Sequence, residues 1–444
     1  EKQKEAFWGL VSTLFLVMTV ILTVLAVLGV LFAPQVVALL APGFVDASDP
    51  DKFPLTVRLT RVISPYILLI GLSALAMGVL NSLKEFTSSA FGPALLNVSV
   101  ILSALFLEKY YGPMALVFGV LVGGVLQLGC QVSPLLKQGF RFAKPNFNYG
   151  FARKIGKLLI PRAMGSALYQ INVFVDSILA SFESIVGPGG QSALYYSNRL
   201  FQLPLAIFGI SLAQAILPTF STQMVRGDRE GFRNTFSVAI RSLFFIIVPA
   251  SVGLIVLAKP IVRIIFEHGQ FDAYSSGITS SALYFYSFGL LSCCFIKILV
   301  NAFYSMQDTR TPVKTMLFSV ALNIVLSLLF MGPLKIGGLA LASSLSATVN
   351  MTLLYVILRK RMERLPEAQI LASFAKIVVA ALAMGLAVYF YDCWILQPSV
   401  SASRLWQSLY LAAGIVGSVL IYFASCWLLR VEEVRRFFPF KARS

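Results

Sequence analysis

Long apolar runs separated by short polar loops set the rhythm of this chain. They fall at 8–32, 62–82, 91–107, 114–135, 157–181, 194–218, 235–258, 282–305, 313–331, 336–358, 371–393 and 406–429. A helix rises about 1.5 Å per residue and needs about 20 residues to cross the hydrocarbon core. The pattern therefore predicts an all-α, polytopic membrane protein with about twelve transmembrane helices. Two shorter stretches, Val37–Phe44 and Ile261–Phe271, are expected to form interfacial helices on the outer side. The first apolar run follows a polar opening and is too long for a signal-peptide core, so no cleavable signal is expected before it.

Composition agrees with this reading. Of 444 residues, 58% are hydrophobic and only 12% charged, whereas about a quarter are charged in soluble domains. The net charge of +17 would suit nucleic acid, but the basic residues sit in short loops between apolar runs. The loop with Lys137, Arg141, Lys144, Arg153 and Lys154 is rich in them, while Glu183–Gln191 has none. That alternation continues along the chain and predicts cytoplasmic termini, with no nucleic-acid partner and some contact with anionic membrane lipids. Cys130, Cys293, Cys294, Cys393 and Cys426 lie in or beside apolar runs without metal-ligand spacing, so they read as small core residues. His268 is the single histidine. No P-loop, nucleophile elbow, paired acids or metal motif is present, so the reading is of a non-enzyme without cofactor or catalytic residues.

The polar residues inside the apolar runs carry the chemistry. Arg199 is expected roughly 8 Å inside the outer end of its span, sharing a helical face with Tyr195 and Gln202 that continues as Ala206, Gly209 and Ala213. A polar upper face running into small residues suits a water-filled cavity above tight helix packing; a snorkelling arginine is the plainer alternative. Asn198 adds to this polar cluster. Asp176, near the same end of the preceding span, is expected to pair with Arg199. Lys297 lies deeper, roughly 12 Å from the cytoplasmic end of its span. Asn97, Gln170 and Asn172 supply neutral groups that line a cavity or tie helices together. This cationic, amide-rich set suits an anionic substrate such as a phosphate. Pro65, Pro161, Pro204 and Pro249 are candidate hinges.

The chain also repeats itself. Asn81, Pro93 and Gly112-Pro113 recur as Asn301, Pro312 and Gly332-Pro333, with equal separation from the asparagine to the second proline. Two such units in one orientation imply a bilobed transporter with its site between the lobes. The expected division is an N-lobe over 1–225, a C-lobe over 226–365, and two final helices with a basic tail over 366–444.

Tyr195-Tyr196-Ser197-Asn198-Arg199-Leu200 and the stretch Phe303–Lys314, with Gln307-Asp308-Thr309-Arg310-Thr311-Pro312, resemble the MurJ (MviN) lipid II flippase family. So do Ala41–Phe44, Pro93–Asn97 and Gly123–Gln127. The resemblance implies the two-lobed, MATE-like architecture of the multidrug/oligosaccharidyl-lipid/polysaccharide exporter superfamily. It implies translocation of lipid II, the undecaprenyl-diphosphate-linked peptidoglycan precursor, by alternating access in the bacterial inner membrane, beside the cell-wall synthesis machinery. It puts Arg199 on a cavity arginine and Lys297 on a lysine of the C-terminal lobe, and it associates the last two spans with a lipid-tail groove. Asn198 and Gln202 stand where some members carry acidic residues. The family has fourteen spans, and this chain is expected to start just before the third. A flippase for another polyprenyl-diphosphate oligosaccharide, a drug antiporter and a non-transporting cell-wall scaffold stay open as alternatives.

Overall fold

The computed structural model describes residues 2–45, 49–140, 170–362, 365–401 and 403–437. Among these the chain is helical throughout, and nine helices are long and apolar enough to cross a membrane, or ten when the bent pair Lys52–Ile63 and Tyr66–Ser82 counts as one span. The expected run 157–181 is described only from its helix Gln170–Ala180 onward, and Pro161 lies outside the described residues. The runs expected at 313–331 and 336–358 form one continuous element, Arg310–Met362, broken at Lys335, whose φ is 52°. At Lys335 the chain turns back, so the element is two helices, each long enough for one crossing.

Contacts divide the chain into two compact units, Glu1–Ser166 and Ala167–Ser444. The division falls upstream of the boundary expected at 225, because the helix carrying Arg199 packs with later helices. The first unit holds α1 (Lys2–Leu31), α2 (Ala33–Leu40), α3 (Lys52–Ile63), α4 (Tyr66–Ser82), α5 (Thr87–Tyr111) and α6 (Met114–Lys137). The interfacial element expected near Val37 is α2 followed by a 3-10 turn, Pro42–Phe44. Trp8, Val11 and Phe15 of α1 meet Ala76, Val79 and Leu80 of α4 and Leu135 of α6 in this unit's core. Val20, Ile21 and Val24 of α1 are exposed.

The second unit holds α7 (Gln170–Ala180), α8 (Glu183–Val186), α9 (Gly190–Pro204), α10 (Ser211–Val225), α11 (Arg229–Val256), α12 (Ala258–Phe266), α13 (Ala273–Ser305), α14 (Arg310–Met362), α15 (Glu367–Tyr391), α16 (Arg404–Leu428) and α17 (Glu432–Phe437). The second short stretch, expected at Ile261–Phe271, is helical only as far as Phe266, as the end of α12. Helix α13 is central and packs against α9, α11 and α14. Phe220, Phe232 and Phe236 form a fully buried aromatic column that reaches Phe295 of α13. Aspartates open two of these helices, since Asp228 accepts from the Gly231 amide and Asp272 from the Ser275 amide, each at 2.8 Å. Each bond satisfies a donor that the first turn leaves free. Hydrogen bonding to Ser275 accordingly lowers the Asp272 carboxyl below its ordinary value.

The sequence repeat appears as two similar helical hairpins, one in each unit. In the first, Ser99 donates to the Gly119 carbonyl at 2.9 Å and Ser103 to that of Ala115 at 2.5 Å, stitching α5 to α6. In the second, Ser319 donates to the Ser346 carbonyl at 2.9 Å across the break in α14. Small residues let the backbones approach, because hydroxyls and packing must replace the hydrophobic effect inside a bilayer. The same logic joins α13 to α14, where Ser344 donates to the Phe285 carbonyl at 2.7 Å. A Cβ on Gly289 would lie 2.9 Å from the Ser344 Cα. Gly289→Ala must push these helices apart, at a cost of about 1–3 kcal/mol. Thermal unfolding of the purified variant in detergent checks this, and a midpoint equal to wild type would refute so close a contact.

Candidate functional site

Three of the expected site residues lie together on α9. Arg199 is exposed, donates through Nη2 to the Tyr195 hydroxyl at 3.1 Å and stacks its guanidinium 4.7 Å from the centre of that ring. A residue four positions earlier on a helix lies on the same face, which makes this partner a local one. Asn198 and Gln202, also four apart, join through their side-chain amides. The polar cluster expected on this face therefore exists, and its guanidinium is not paired with any carboxylate among the described residues.

The face does not continue as the spacing suggested. Ala206 is exposed, whereas Gly209 and Ala213 are buried with Ser197 and Phe201 on the opposite side. The cause is a π turn over Leu205–Ile210, directly after Pro204. Proline has no N–H to donate and its ring crowds the carbonyl four residues back, so the ladder opens there by one residue. That extra residue rotates everything beyond it. The small-residue face thus turns inward, and Gly209 receives Cys294 of α13 so closely that a Cβ would sit 2.7 Å from its sulfur.

The expected Asp176–Arg199 pair does not form. Asp176 is 8% exposed and turns into the second unit, where the Ser343 hydroxyl donates to its Oδ2 at 3.0 Å. With its amide nitrogen toward the carboxylate, Asn323 donates to Oδ1 at 3.3 Å and to Ser327 at 3.2 Å, while its oxygen accepts from the Ser343 amide at 3.3 Å. The opposite orientation would place two oxygens face to face. The carboxylate is thereby held by neutral donors from both halves of α14. Helices α7 and α9 do meet, through the Gln191 amide donating to the Ser177 carbonyl at 3.0 Å. Adjacency alone does not direct a side chain toward its neighbour. Asp176→Asn and Arg199→Gln should therefore act independently on stability, with a coupling within about 0.5 kcal/mol in a double-mutant cycle. A larger coupling in unfolding of the purified variants would restore the pair.

Lys297 is exposed on α13 with no hydrogen-bond or ion-pair partner among the described residues. It belongs to the same compact unit as Arg199, although the repeat suggested different lobes. The strand of helix containing Arg199 runs parallel to α13, since Phe201 stacks near Tyr286, Gly209 meets Cys294, and Asn301 donates to the Ala213 carbonyl at 2.6 Å. Lys297 therefore lies level with residue 212, about thirteen residues or 20 Å along the axis from Arg199. The two cations occupy two depths and cannot grip one phosphate group together. Gln170 is exposed on α7, and Asn97 is exposed on α5 in the first unit. Among the described residues no group of histidine, cysteine or acidic side chains is arranged to hold a metal.

One intramembrane charge escaped the reading of the sequence. Arg241 stands inside the apolar run of α11, donating from Nε to Glu433 at 2.6 Å and from Nη2 to Glu432 at 2.5 Å. The arginine itself was visible among Ala239, Ile240, Leu243 and Phe244; its acidic partners, on α17, were not. The Gln307–Pro312 motif also gains a structural account. Asp308 accepts from the Arg310 and Thr311 amides at 2.9 and 3.0 Å and pairs with Arg361 Nη1 at 2.7 Å. Burial works against its charge, but the Thr311 hydroxyl and amide and the Arg361 guanidinium hold its carboxyl down at about 2. This motif is a helix cap tied to the far end of α14.

Comparison with known proteins agrees with this architecture. The family model described as "Lipid II flippase MurJ" matches residues 1–409. A probable lipid II flippase MurJ from Haemophilus influenzae is 37% identical over 388 residues, covering 84% of this chain and 74% of that protein. The lipid II flippase MurJ of Burkholderia cenocepacia is 33% identical over 389 residues, covering 86% and 74%. A solved lipid II flippase MurJ in an inward closed conformation superposes with a TM-score of 0.78 at 25% identity, over 97% of this chain and 85% of that one. An inward-facing MATE multidrug transporter of the MOP superfamily shares the fold, with a TM-score of 0.70 at 14% identity over 79% of this chain and 81% of that one. With the family model matching all of the first compact unit and most of the second, the chain belongs to the MurJ family of lipid II flippases.

Proposed function

We propose that this chain carries lipid II from the inner to the outer leaflet of the bacterial cytoplasmic membrane by alternating access. The observation that supports this reading is the pair of cations without carboxylate partners, Arg199 and Lys297, on neighbouring parallel helices of a family of flippases. A diphosphate is the anionic part of such a substrate, and guanidinium and ammonium groups are its natural partners. Their separation of about 20 Å along the axis assigns them successive roles, Lys297 nearer the cytoplasmic end and Arg199 nearer the outer end. Neither charge needs to bind tightly, because a transporter must also release its ligand. Asn198, Gln202 and Gln170 supply neutral hydrogen bonds to the polar headgroup. Asp176, turned inward, holds α7 against α14.

Expression of the chain in cells depleted of their own lipid II flippase tests the function. Restored growth and restored appearance of lipid II in the outer leaflet are expected. Absence of both, with the chain present in membranes at normal levels, would sink the proposal.

The orientation is part of the same proposal: both termini cytoplasmic, and the Glu183–Gln191 loop periplasmic, from the alternation of basic loops. In a cysteine-free background a Ser192→Cys variant should react with an impermeant thiol reagent in intact spheroplasts. Reaction only after permeabilisation would reverse the topology.

A further inference from the structure

We propose that α12 and the start of α16 form a binding site for the phosphate of a lipid headgroup, separate from Arg199 and Lys297; its placement at the outer face rests on the orientation proposed above. Arg263, Ile264 and Glu267 of the α12 end and Arg404 and Gln407 of α16 enclose a pocket of about 170 Å³. Two guanidiniums thus converge on a small polar cavity, and neither has a carboxylate partner among the described residues. Arg404 Nη2 donates to the backbone carbonyl of Glu267 at 3.1 Å. Arg263 Nη2 reaches the Leu396 carbonyl only at 3.4 Å, and its Nε is buried without any acceptor. A buried charged donor without a partner is costly, and Arg263 carries one beside the pocket that it lines.

The electrostatics favour an anion despite Glu267. The two arginines outweigh its single carboxylate, and Lys259, one helical turn before Arg263, adds another positive charge to the same side of α12. Helix α16 begins at the pocket with 25 residues and no side-chain cap at Ser403. Its first free N–H groups and positive dipole end therefore add to the attraction. Forked guanidinium donors fit phosphate oxygens better than a point charge would.

The surroundings identify a lipid. Trp406 stacks on Tyr410 with ring centres 6.0 Å apart, and Trp394 lies close in sequence to Leu396. The two indoles are 54% and 76% exposed. Exposed tryptophans at the end of a span mark headgroup depth. Ile265 of α12 is also exposed, as expected for an interfacial helix bordering lipid. A bilayer phospholipid and a polyprenyl diphosphate share the required chemistry: a phosphate at headgroup level attached to an apolar chain.

Native mass spectrometry of the full chain, purified in neutral detergent, separates the two sources. Phosphatidylglycerol and a polyprenyl diphosphate are titrated in turn onto the wild type and the Arg263→Gln/Arg404→Gln double variant. Loss of two charge-assisted contacts should weaken the strongest site by at least about a hundredfold. A loss confined to phosphatidylglycerol identifies a bilayer phospholipid, and a loss for the diphosphate identifies a transported-lipid class; either supports the site. Equal affinity of both proteins for both probes overturns it. Arg404→Gln alone alters an exposed side chain and should show a smaller loss in the same direction, so the test survives poor folding of the double variant. Unchanged affinity in that single variant, if the double variant does not fold, also overturns the site. Binding in detergent depends on neither export nor orientation, so this outcome is distinct from failure of the transport reading.

Discussion

Arg199→Ala and Lys297→Ala should each abolish support of growth in flippase-depleted cells while leaving the protein folded. Both side chains are exposed, and Arg199 is tied only to Tyr195 of its own helix. Their removal should therefore change stability by no more than about 0.5 kcal/mol. A charge-assisted contact with phosphate is worth about 1.5–3 kcal/mol, so affinity for a lipid diphosphate should fall roughly 10- to 150-fold. Arg199→Lys should fall between wild type and alanine, because the charge remains but the fork is lost. Since the two cations lie at different depths, loss of either one should interrupt transport, and a lysine at 199 should not compensate for alanine at 297. Membrane levels measured by immunoblot separate transport from expression. Normal growth and normal lipid II export with both alanine variants would remove these residues from the mechanism.

The largest effect on stability is expected at Arg241. Its side chain is 8% exposed and that of Glu433 only 1%, whereas Glu432 is 70% exposed. Arg241→Met leaves the Glu433 carboxylate buried without its counter-charge, a situation that costs about 3–5 kcal/mol. Glu433→Gln should cost less, since Glu432 still faces the guanidinium. The double variant Arg241→Met/Glu433→Leu should recover most of the loss, because apolar groups of similar size need no counter-charge. Tyr422 donates to the Phe245 carbonyl at 2.7 Å, a bond that none of these substitutions removes, so α16 should keep its place beside α11. Denaturant unfolding in detergent, followed by tryptophan fluorescence, gives the comparison. A double variant as unstable as Arg241→Met would show that the arginine acts by packing and not by charge.

Hydropathy made the helices legible because each span must bury its backbone polar groups in its own hydrogen bonds. The short helices at Ala33–Leu40 and Ala258–Phe266 were legible as stretches too short to cross. The residues that break the helical period were harder to read. Pro204 announced a disturbance, but only the π turn after it shows that Gly209 and Ala213 rotate away from Arg199. Asp176 and Arg199 were rightly placed on adjoining helices, yet the carboxylate's partners, Ser343 and Asn323, come from a helix begun more than a hundred residues later. Depth along a helix can be counted from sequence. The direction of a polar side chain depends on which distant helix closes over it.

The Arg241–Glu433 link also has a consequence in time. The two residues are 192 positions apart, and ribosomes add about 5–20 residues per second. Arg241 therefore enters the membrane roughly 10–40 s before its acidic partner exists. Through that interval its charge has to rely on water, headgroups or the insertion machinery. When α17 finally closes over α11, the unfavourable charge becomes a tether, so the order of synthesis delays completion of this unit until nearly all of its helices are already in place.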